Sequence, residues 1–261
     1  MPVSLEQILR STRGGLDILR ARRAALEQDA ATSRVPPSFR SALRKGSIAV
    51  IAEVKRRSPS AGAIREDLDP GARAALYAEH GAAAISVLTD GPYFGGSIQD
   101  LSAAARCAPV PVLRKDFILD EVQILEARAA GAAAVLLIVR ALGSRLHPLL
   151  RYAADLGLDA LVEVHTAEEL DTALEAGASI FGVNSRDLDT FEIDMEGAWT
   201  IVARVPAEFL AVAESGMAGL KDVQRAAAAG ADAVLIGTAL SAAASPGGLL
   251  RDLTQVARRG R

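Results

Sequence analysis

Short aliphatic runs recur along the chain, and five of them follow a glycine and a few small residues. These runs begin after Gly81, Gly131, Gly157, Gly177 and Gly230, with gaps between the glycines of 50, 26, 20 and 53 residues. A glycine can adopt the left-handed conformation that ends a helix. An unbroken aliphatic run is typical of a parallel strand that is buried on both faces. The pattern therefore predicts repeated helix-to-strand units, one or two between successive glycines.

Further aliphatic runs at 48–54, 110–113 and 209–213 fill the remaining positions of this repeat. Helices are predicted between the strands, with starts at Asp120 and Thr166. Eight alternating strands and helices favour an α/β fold, the (β/α)8 TIM barrel. A doubly wound open sheet is the alternative, because periodicity does not show whether a sheet closes. The predicted strands are 48–55, 84–89, 110–115, 133–139, 159–165, 179–184, 209–214 and 232–237.

Residues 1–45 lie outside the repeat and are predicted to form an N-terminal helical extension, with residues 46–261 as the barrel domain. The segment from Val35 to Ser38, with its two prolines, separates the extension from the barrel. The extension either caps the barrel or borders an active site, and the pattern alone favours capping. Four apolar residues have the spacing of one amphipathic helix: Ile8, Leu16, Leu19 and Leu26.

Composition excludes several classes of protein. The 261 residues are 50% hydrophobic and 23% charged, which excludes a disordered chain. A net charge of −3 gives no electrostatic basis for binding nucleic acid or an anionic membrane. The single cysteine, Cys107, cannot form an internal disulfide. No signal peptide is evident, and the longest apolar run, 132–139, is too short for a bilayer of about 30 Å. We therefore expect a cytoplasmic protein.

Polar residues stand where several predicted strands end. Glu53 and Lys55 alternate with Val54, so they share a face that points towards the axis of a closed barrel. The C-terminal ends of barrel strands are where such enzymes build their active sites. Any one of these residues fits a solvated strand end, but together they favour acid–base catalysis. Four other predicted strands supply Lys115, Glu163, Asn184 and Glu214.

Two glycine-containing segments predict a phosphate site. Ser215-Gly216 follows the seventh strand, and Gly237-Thr238 closes the eighth and opens a helical stretch. Glycines let the backbone approach an anion, and N–H groups at a helix start can hold it. Each glycine alone is equally explained by turn chemistry. No dinucleotide-binding or P-loop glycine motif occurs. His165 shares a strand face with Glu163, where it would support reacting groups rather than react itself.

The ordered strand-end motifs resemble one known family. They run through Ile51–Gly62, Ser86–Asp90, Phe94–Ser97, Pro111–Phe117, Leu161–His165, Gly182–Leu188, Ala213–Gly216 and Leu235–Gly237. Over residues 46–240 the chain is similar to indole-3-glycerol-phosphate synthase of tryptophan biosynthesis. The resemblance implies a (β/α)8 barrel with an N-terminal helical extension, and it strengthens the alternative in which that extension borders the substrate. It implies a carboxy-lyase that converts 1-(2-carboxyphenylamino)-1-deoxyribulose 5-phosphate into indole-3-glycerol phosphate, without a metal or organic cofactor.

The resemblance also implies roles for individual residues. Lys115 is the expected general acid of ring closure, and Glu163 is similar to the family's base, which acts in the dehydration after decarboxylation. Glu53 and Lys55 are candidates for proton transfer in the later dehydration, while Asn184 orients a hydroxyl of an intermediate. The expected catalytic set is Glu53, Lys55, Lys115, Glu163, Asn184 and Glu214. The expected substrate-binding set is Ser58, Phe94, Phe117, Leu136, Arg186 and Leu188. The expected phosphate-binding set is Lys55, Ser215, Gly216, Gly237 and Thr238, with Ser58 beside it.

The expected partner is a small phosphorylated molecule, with no nucleic acid or membrane, and the chain is expected to be a monomer or weak homo-oligomer. Two other functions share the phosphate loops. A sugar-phosphate isomerase would not need two lysines and three glutamates at one rim. A non-catalytic binding protein would keep Gly216 and Gly237 but form no product.

Overall fold

Eight parallel strands form a closed barrel in this computed structural model, which describes residues 4–59 and 61–261. Successive strands are neighbours, and the first pairs with the last, so the barrel prediction is confirmed and an open sheet is excluded. The strands are β1 (Ala49–Val54), β2 (Ala84–Leu88), β3 (Val112–Lys115), β4 (Ala134–Ile138), β5 (Asp159–Val164), β6 (Ile180–Asn184), β7 (Leu210–Glu214) and β8 (Ala233–Ile236).

Helices precede the barrel and connect its strands. Three precede β1: α1 (Leu5–Ala21), α2 (Arg23–Thr32) and α3 (Phe39–Leu43). The others are α4 (Pro70–Glu79), α5 (Gly91–Phe94), α6 (Ile98–Cys107), α7 (Glu121–Ala129), α8 (Val139–Leu142), α9 (Leu146–Asp155), α10 (Ala167–Glu175), α11 (Met195–Arg204), α12 (Leu220–Ala228), α13 (Thr238–Ala242) and α14 (Pro246–Thr254). A short antiparallel pair, Arg57–Ser58 with Gly62–Ala63, follows β1 and was not predicted.

The local signals in the sequence mark helix ends as expected. Asp120 caps α7 by accepting a hydrogen bond from the Val122 N–H at 3.0 Å, and Thr166 caps α10 by accepting one from the Glu169 N–H at 3.2 Å. The glycines at the helix-to-strand junctions have positive φ, which a side chain would make costly. Their φ values are 96° at Gly81, 91° at Gly131, 72° at Gly157, 87° at Gly177 and 97° at Gly230.

Strand register brings the polar strand ends to one rim. Glu53 pairs with Ser86 of β2, and Lys115 pairs with Leu88 of the same strand. On the other side of the barrel, Asn184 pairs with Glu214. Because all eight strands run in the same direction, these side chains meet at the C-terminal mouth while aliphatic residues fill the barrel below.

The N-terminal extension is two helices rather than the single helix that its apolar spacing predicts. α1 ends at Ala21, and Arg22 lies between it and α2. The break lets the helices bury different residues. Ile8 of α1 joins the main core, whereas Leu26 of α2 joins a small cluster with Val122 and Leu125 of α7. The domain boundary after residue 45 stays a prediction.

Within residues 4–59 and 61–261, none of the helices combines the length and apolar character that a membrane crossing requires.

Candidate active site

A cavity of about 760 Å³, its open mouth included, lies at the C-terminal end of the barrel. Polar strand ends form its floor, and loops and α1 form its walls. Five predicted catalytic residues line it: Glu53, Lys55, Lys115, Glu163 and Asn184. The sixth, Glu214, is buried and reaches the cavity through its contact with Lys115. The structure thus brings the residues of five different strands to one space.

Lys115 lies between two buried carboxylates. Its ammonium Nζ donates to Oε2 of Glu214 at 3.0 Å and to Oε2 of Glu163 at 3.4 Å. Burial by itself would lower the pKa of Lys115, but the negative charges of Glu214, Glu163 and Glu53 outweigh burial and hold it above its ordinary value. Lys115 is therefore protonated in the resting site and has a proton to donate.

Glu214 binds a proton far more readily than an exposed glutamate. Burial, aided by the nearby charge of Glu163, raises the pKa of Glu214 to about 7, although Lys115 opposes the shift. Its Oε1 has no hydrogen-bond partner among the described residues and faces the backbone of Gly182. A side chain at position 182 would collide with this carboxylate. Sequence reasoning missed Gly182, although a glycine inside an aliphatic strand is a signal of close approach.

Glu214→Gln is expected to change how stability depends on pH. The folded protein holds the Glu214 proton with a pKa of about 7, against an ordinary value of 4.5, so this group stabilises the fold at low pH. That contribution is lost as the pH rises from 4.5 to 7. Urea unfolding should show the wild type losing about 2–3 kcal/mol relative to the variant between pH 4.5 and 7.5. The exposed variant Glu175→Gln is the control. If the free energies of unfolding of the wild type and Glu214→Gln differ by the same amount at every pH, the raised pKa of Glu214 is wrong.

Glu53 and Lys55 form the second acid–base pair of the floor. Lys55 Nζ lies 3.2 Å from Oε1 of Glu53, whose carboxylate is buried. The same carboxylate faces the backbone of Gly237, where a side chain would collide with it. Gly237, expected from the sequence at the phosphate, therefore also makes room for Glu53.

The predicted phosphate residues separate into two groups. Lys55, Ser58 and Ser215 line the cavity. Gly216 follows β7, Gly237 follows β8, and Thr238 begins α13; none of the three is among the residues that line the cavity. Ser215 and Gly216 both have positive φ, 64° and 74°, so consecutive left-handed residues turn the chain beside the cavity. Such a conformation at a serine costs about 1 kcal/mol or more, and such strain is often found at ligand-binding sites.

One wall of the cavity is apolar and aromatic. The rings of Phe94 and Phe117 have centroids 6.2 Å apart, and Leu136 and Leu188 line the same cavity. Sequence reasoning missed Phe191, which also lines it. These surfaces suit a planar aromatic group.

α1 closes another side of the cavity. Leu5 and Ile8 line it, and the Leu5 N–H donates to Oδ1 of Asp189 at 3.4 Å. The extension therefore borders the cavity, as the family resemblance implied, rather than only capping the barrel. Nothing in the local sequence of α1 specifies this docking, because it depends on where the barrel loops lie.

Arg186 adds a third cation to the cavity wall. Its Nη1 donates to the backbone carbonyl of Phe191 at 3.0 Å, and its own N–H donates to Oδ1 of Asn184 at 3.0 Å. Burial lowers the pKa of Arg186, which remains charged at neutral pH. Lys55, Lys115 and Arg186 together make the cavity suitable for a ligand with more than one negative charge.

Comparison with known proteins adds a family match. A family model described as "Indole-3-glycerol phosphate synthase" matches residues 5–253. A protein of that name from Mycobacteroides abscessus is 49% identical over 231 residues, covering 88% of this chain and 85% of the relative. Another from Parafrankia sp. is 47% identical over 253 residues, covering 96% of this chain and 94% of the relative.

Solved structures with low sequence identity show the same fold. Thiamine phosphate pyrophosphorylase from Pyrococcus furiosus superposes with a TM-score of 0.59 at 18% identity, covering 80% of this chain and 94% of that one. A 3-hexulose-6-phosphate synthase superposes with a TM-score of 0.62 at 16% identity, covering 79% and 98%. At these identities the likeness establishes the architecture alone.

Proposed function

The chain belongs to the indole-3-glycerol phosphate synthase family, and from this premise we propose how its cavity carries out the reaction. The substrate is 1-(2-carboxyphenylamino)-1-deoxyribulose 5-phosphate, and the products are indole-3-glycerol phosphate, carbon dioxide and water. The observation that carries the proposal is the Lys115 ammonium, held between Glu163 and Glu214 in a cavity with an aromatic wall.

Lys115 is the general acid of ring closure. The aromatic carbon that bears the carboxylate bonds to the ribulose carbonyl carbon, and the carbonyl oxygen takes a proton to become a hydroxyl. An ammonium held in its charged form stabilises the developing negative charge on that oxygen and then supplies the proton. Loss of carbon dioxide returns the bonding electrons to the ring.

Glu163 is the base of the dehydration that follows. A carboxylate removes a proton from the carbon next to the new hydroxyl, and the hydroxyl leaves as water after taking a proton from an acid. Glu163 is buried and contacts Lys115. If Lys115 reaches the carbonyl oxygen, the reacting carbons therefore lie close to Glu163. The Glu53–Lys55 pair, 3.2 Å apart, is assigned to proton transfer at this second stage, and Asn184 to orienting the hydroxyl.

The charges and surfaces of the cavity match the two ends of the substrate. Phe94, Phe117 and Leu136 pack the carboxyphenyl ring, with Leu188 beside them, and Arg186 offsets the carboxylate. We place the phosphate at Lys55 and Ser215, with Ser58, the loop of Gly216, and Gly237 and Thr238 at the start of α13 around it. The cofactor-free reaction, the cytoplasmic location and the monomeric or weakly self-associating state stay predictions.

The test is direct formation of product. Purified protein treated with a chelator and given the carboxyphenylamino substrate should develop indole fluorescence without added metal. Pentose and hexose phosphates, assayed in parallel for isomerisation, should remain unchanged. Absence of indole over a broad range of pH and temperature would reject the proposal, and isomerisation without indole would favour the sugar-phosphate isomerase.

A further inference from the structure

His165 lies beside the carboxylate of Glu163, at the oxygen that Lys115 does not contact. Its Nε2, which has no hydrogen-bond partner among the described residues, lies 3.4 Å from Oε1 of Glu163. Lys115 approaches the other oxygen, Oε2, also at 3.4 Å. The imidazole is nearly fully buried, with 4% of its side chain exposed. The carboxylate of Glu163 thus has the Lys115 ammonium at one oxygen and the His165 imidazole at the other, and Lys115 is expected to give up its proton during the reaction.

Glu169 fixes the orientation of the imidazole through its other ring nitrogen. Its Nδ1 lies 3.2 Å from Oε2 of Glu169, and the same oxygen accepts the backbone N–H of His165 at 2.7 Å. Arg140 Nε donates to the other oxygen of Glu169 at 3.2 Å. With Glu169 holding Nδ1, Nε2 lies on the side of the ring that is near Glu163, 3.4 Å from its Oε1.

The contacts continue from Arg140 to the wall that closes the cavity. Arg140 Nη1 donates to Oδ2 of Asp187 at 3.1 Å and lies 3.6 Å from Asp189. Asp189 in turn accepts the N–H of Leu5 at the start of α1. Hydrogen bonds and ion pairs therefore link His165 and Glu169 to the loop after β6 and to α1, the helix that borders the cavity.

The charges around His165 favour its imidazolium form. Burial would lower the pKa of His165, and Arg140 acts in the same direction. The hydrogen bond to Glu169 and the charges of Glu163 and Glu169 outweigh them, so the pKa is above its ordinary value. The pKa of Glu169 is below its ordinary value because its bonds to His165 and Arg140 outweigh burial. These contacts therefore favour protonation of the imidazole beside Glu163.

We propose that His165 is a positioning residue for Glu163: it keeps this base oriented and offsets its negative charge when Lys115 gives its proton to the substrate. The inference rests on the proposed function. Once Lys115 has donated its proton, its attraction for Glu163 falls, and the His165 imidazole remains 3.4 Å from that carboxylate. A histidine whose only role was its contact with Glu169 would not need Nε2 to approach Glu163.

The kinetic test compares His165→Leu with His165→Gln. Loss of a charged contact predicts that His165→Leu lowers kcat by about 10- to 100-fold, with KM within about threefold of wild type. The acidic limb of its pH profile should move to higher pH, because the variant lacks the imidazole beside the carboxylate of the base. His165→Gln restores a donor near Nε2 without charge, so it should recover part of kcat and keep the shifted limb. His147→Leu, at an exposed histidine of α9, should match wild type in both measurements.

An NMR titration tests the contact independently of activity. Replacing Glu163 with glutamine should lower the pKa of His165 in ¹⁵N imidazole spectra and leave His147 and His80 unchanged. An unchanged His165 titration, or a His165→Leu variant with wild-type kcat and pH profile, would overturn the inference, whatever its thermal stability. If His165→Leu does not fold, His165→Gln and Glu169→Gln carry the kinetic test, and a wild-type profile in both would also overturn it. A different outcome would reject the proposed function instead: the pKa of His165 falls in Glu163→Gln as expected, but the wild-type protein forms no indole product. The role of His165 in catalysis would then be rejected with it.

Discussion

Replacing Lys115 with alanine is expected to lower kcat by about 10²- to 10⁴-fold, equivalent to roughly 3–5 kcal/mol of barrier. The variant loses the proton donor of ring closure and the positive charge that stabilises the developing oxyanion. It also leaves Glu163 and Glu214 together without the cation that lies between them. Because ring closure precedes decarboxylation, release of carbon dioxide and formation of indole should fall together.

The matched control is Lys221→Ala, which removes an exposed lysine of α12. It should keep the wild-type rate of indole formation, measured by fluorescence under saturating substrate. A Lys115→Ala variant that retained more than half of the wild-type kcat would contradict the assignment of Lys115 as general acid.

Glu163→Gln is expected to lower kcat by about 10²- to 10³-fold with a small change in KM. The amide has nearly the shape of the carboxylate but cannot accept the proton that dehydration releases. Decarboxylation comes before this step, so a single turnover should release carbon dioxide ahead of indole. The separation of the two signals distinguishes a base in the second stage from a general loss of structure.

Glu175→Gln, at an exposed position of α10, provides the control for Glu163→Gln. It should show carbon dioxide and indole forming together at the wild-type rate. If Glu163→Gln forms both products simultaneously, Glu163 is not the base of dehydration. If its kcat is within about twofold of wild type, Glu163 takes no part in the proton transfers.

The barrel was predictable because its signals are local. Glycines such as Gly131 and Gly230 end helices, and each is followed by an aliphatic run whose length fits a buried strand. The predicted strands agree with the observed ones to within two residues at either end. The break of the extension at Arg22 was not predictable from apolar spacing, because that spacing continues through it. The break depends on docking against α7.

The polar floor of the cavity was predictable for a similar reason. Parallel strands of a closed barrel end at one rim, so Glu53, Lys115 and Glu163 had to be neighbours once the strands were placed. The partners of each residue were not predictable, since the contact of Lys115 with Glu214 depends on register and strand tilt. The sequence also did not show that Leu5 would line the cavity, because that requires the position of a distant helix.

A crystal structure with bound indole-3-glycerol phosphate tests most directly whether this one cavity holds both ends of the ligand and both proton-transfer groups. We expect the indole ring to lie against Phe94 and Phe117 and the phosphate to lie at Lys55 and Ser215. Lys115 and Glu163 should contact the carbons and oxygens between them. Product bound away from Lys115 and Glu163, or with its phosphate on the far side of the barrel from Ser215, would contradict it.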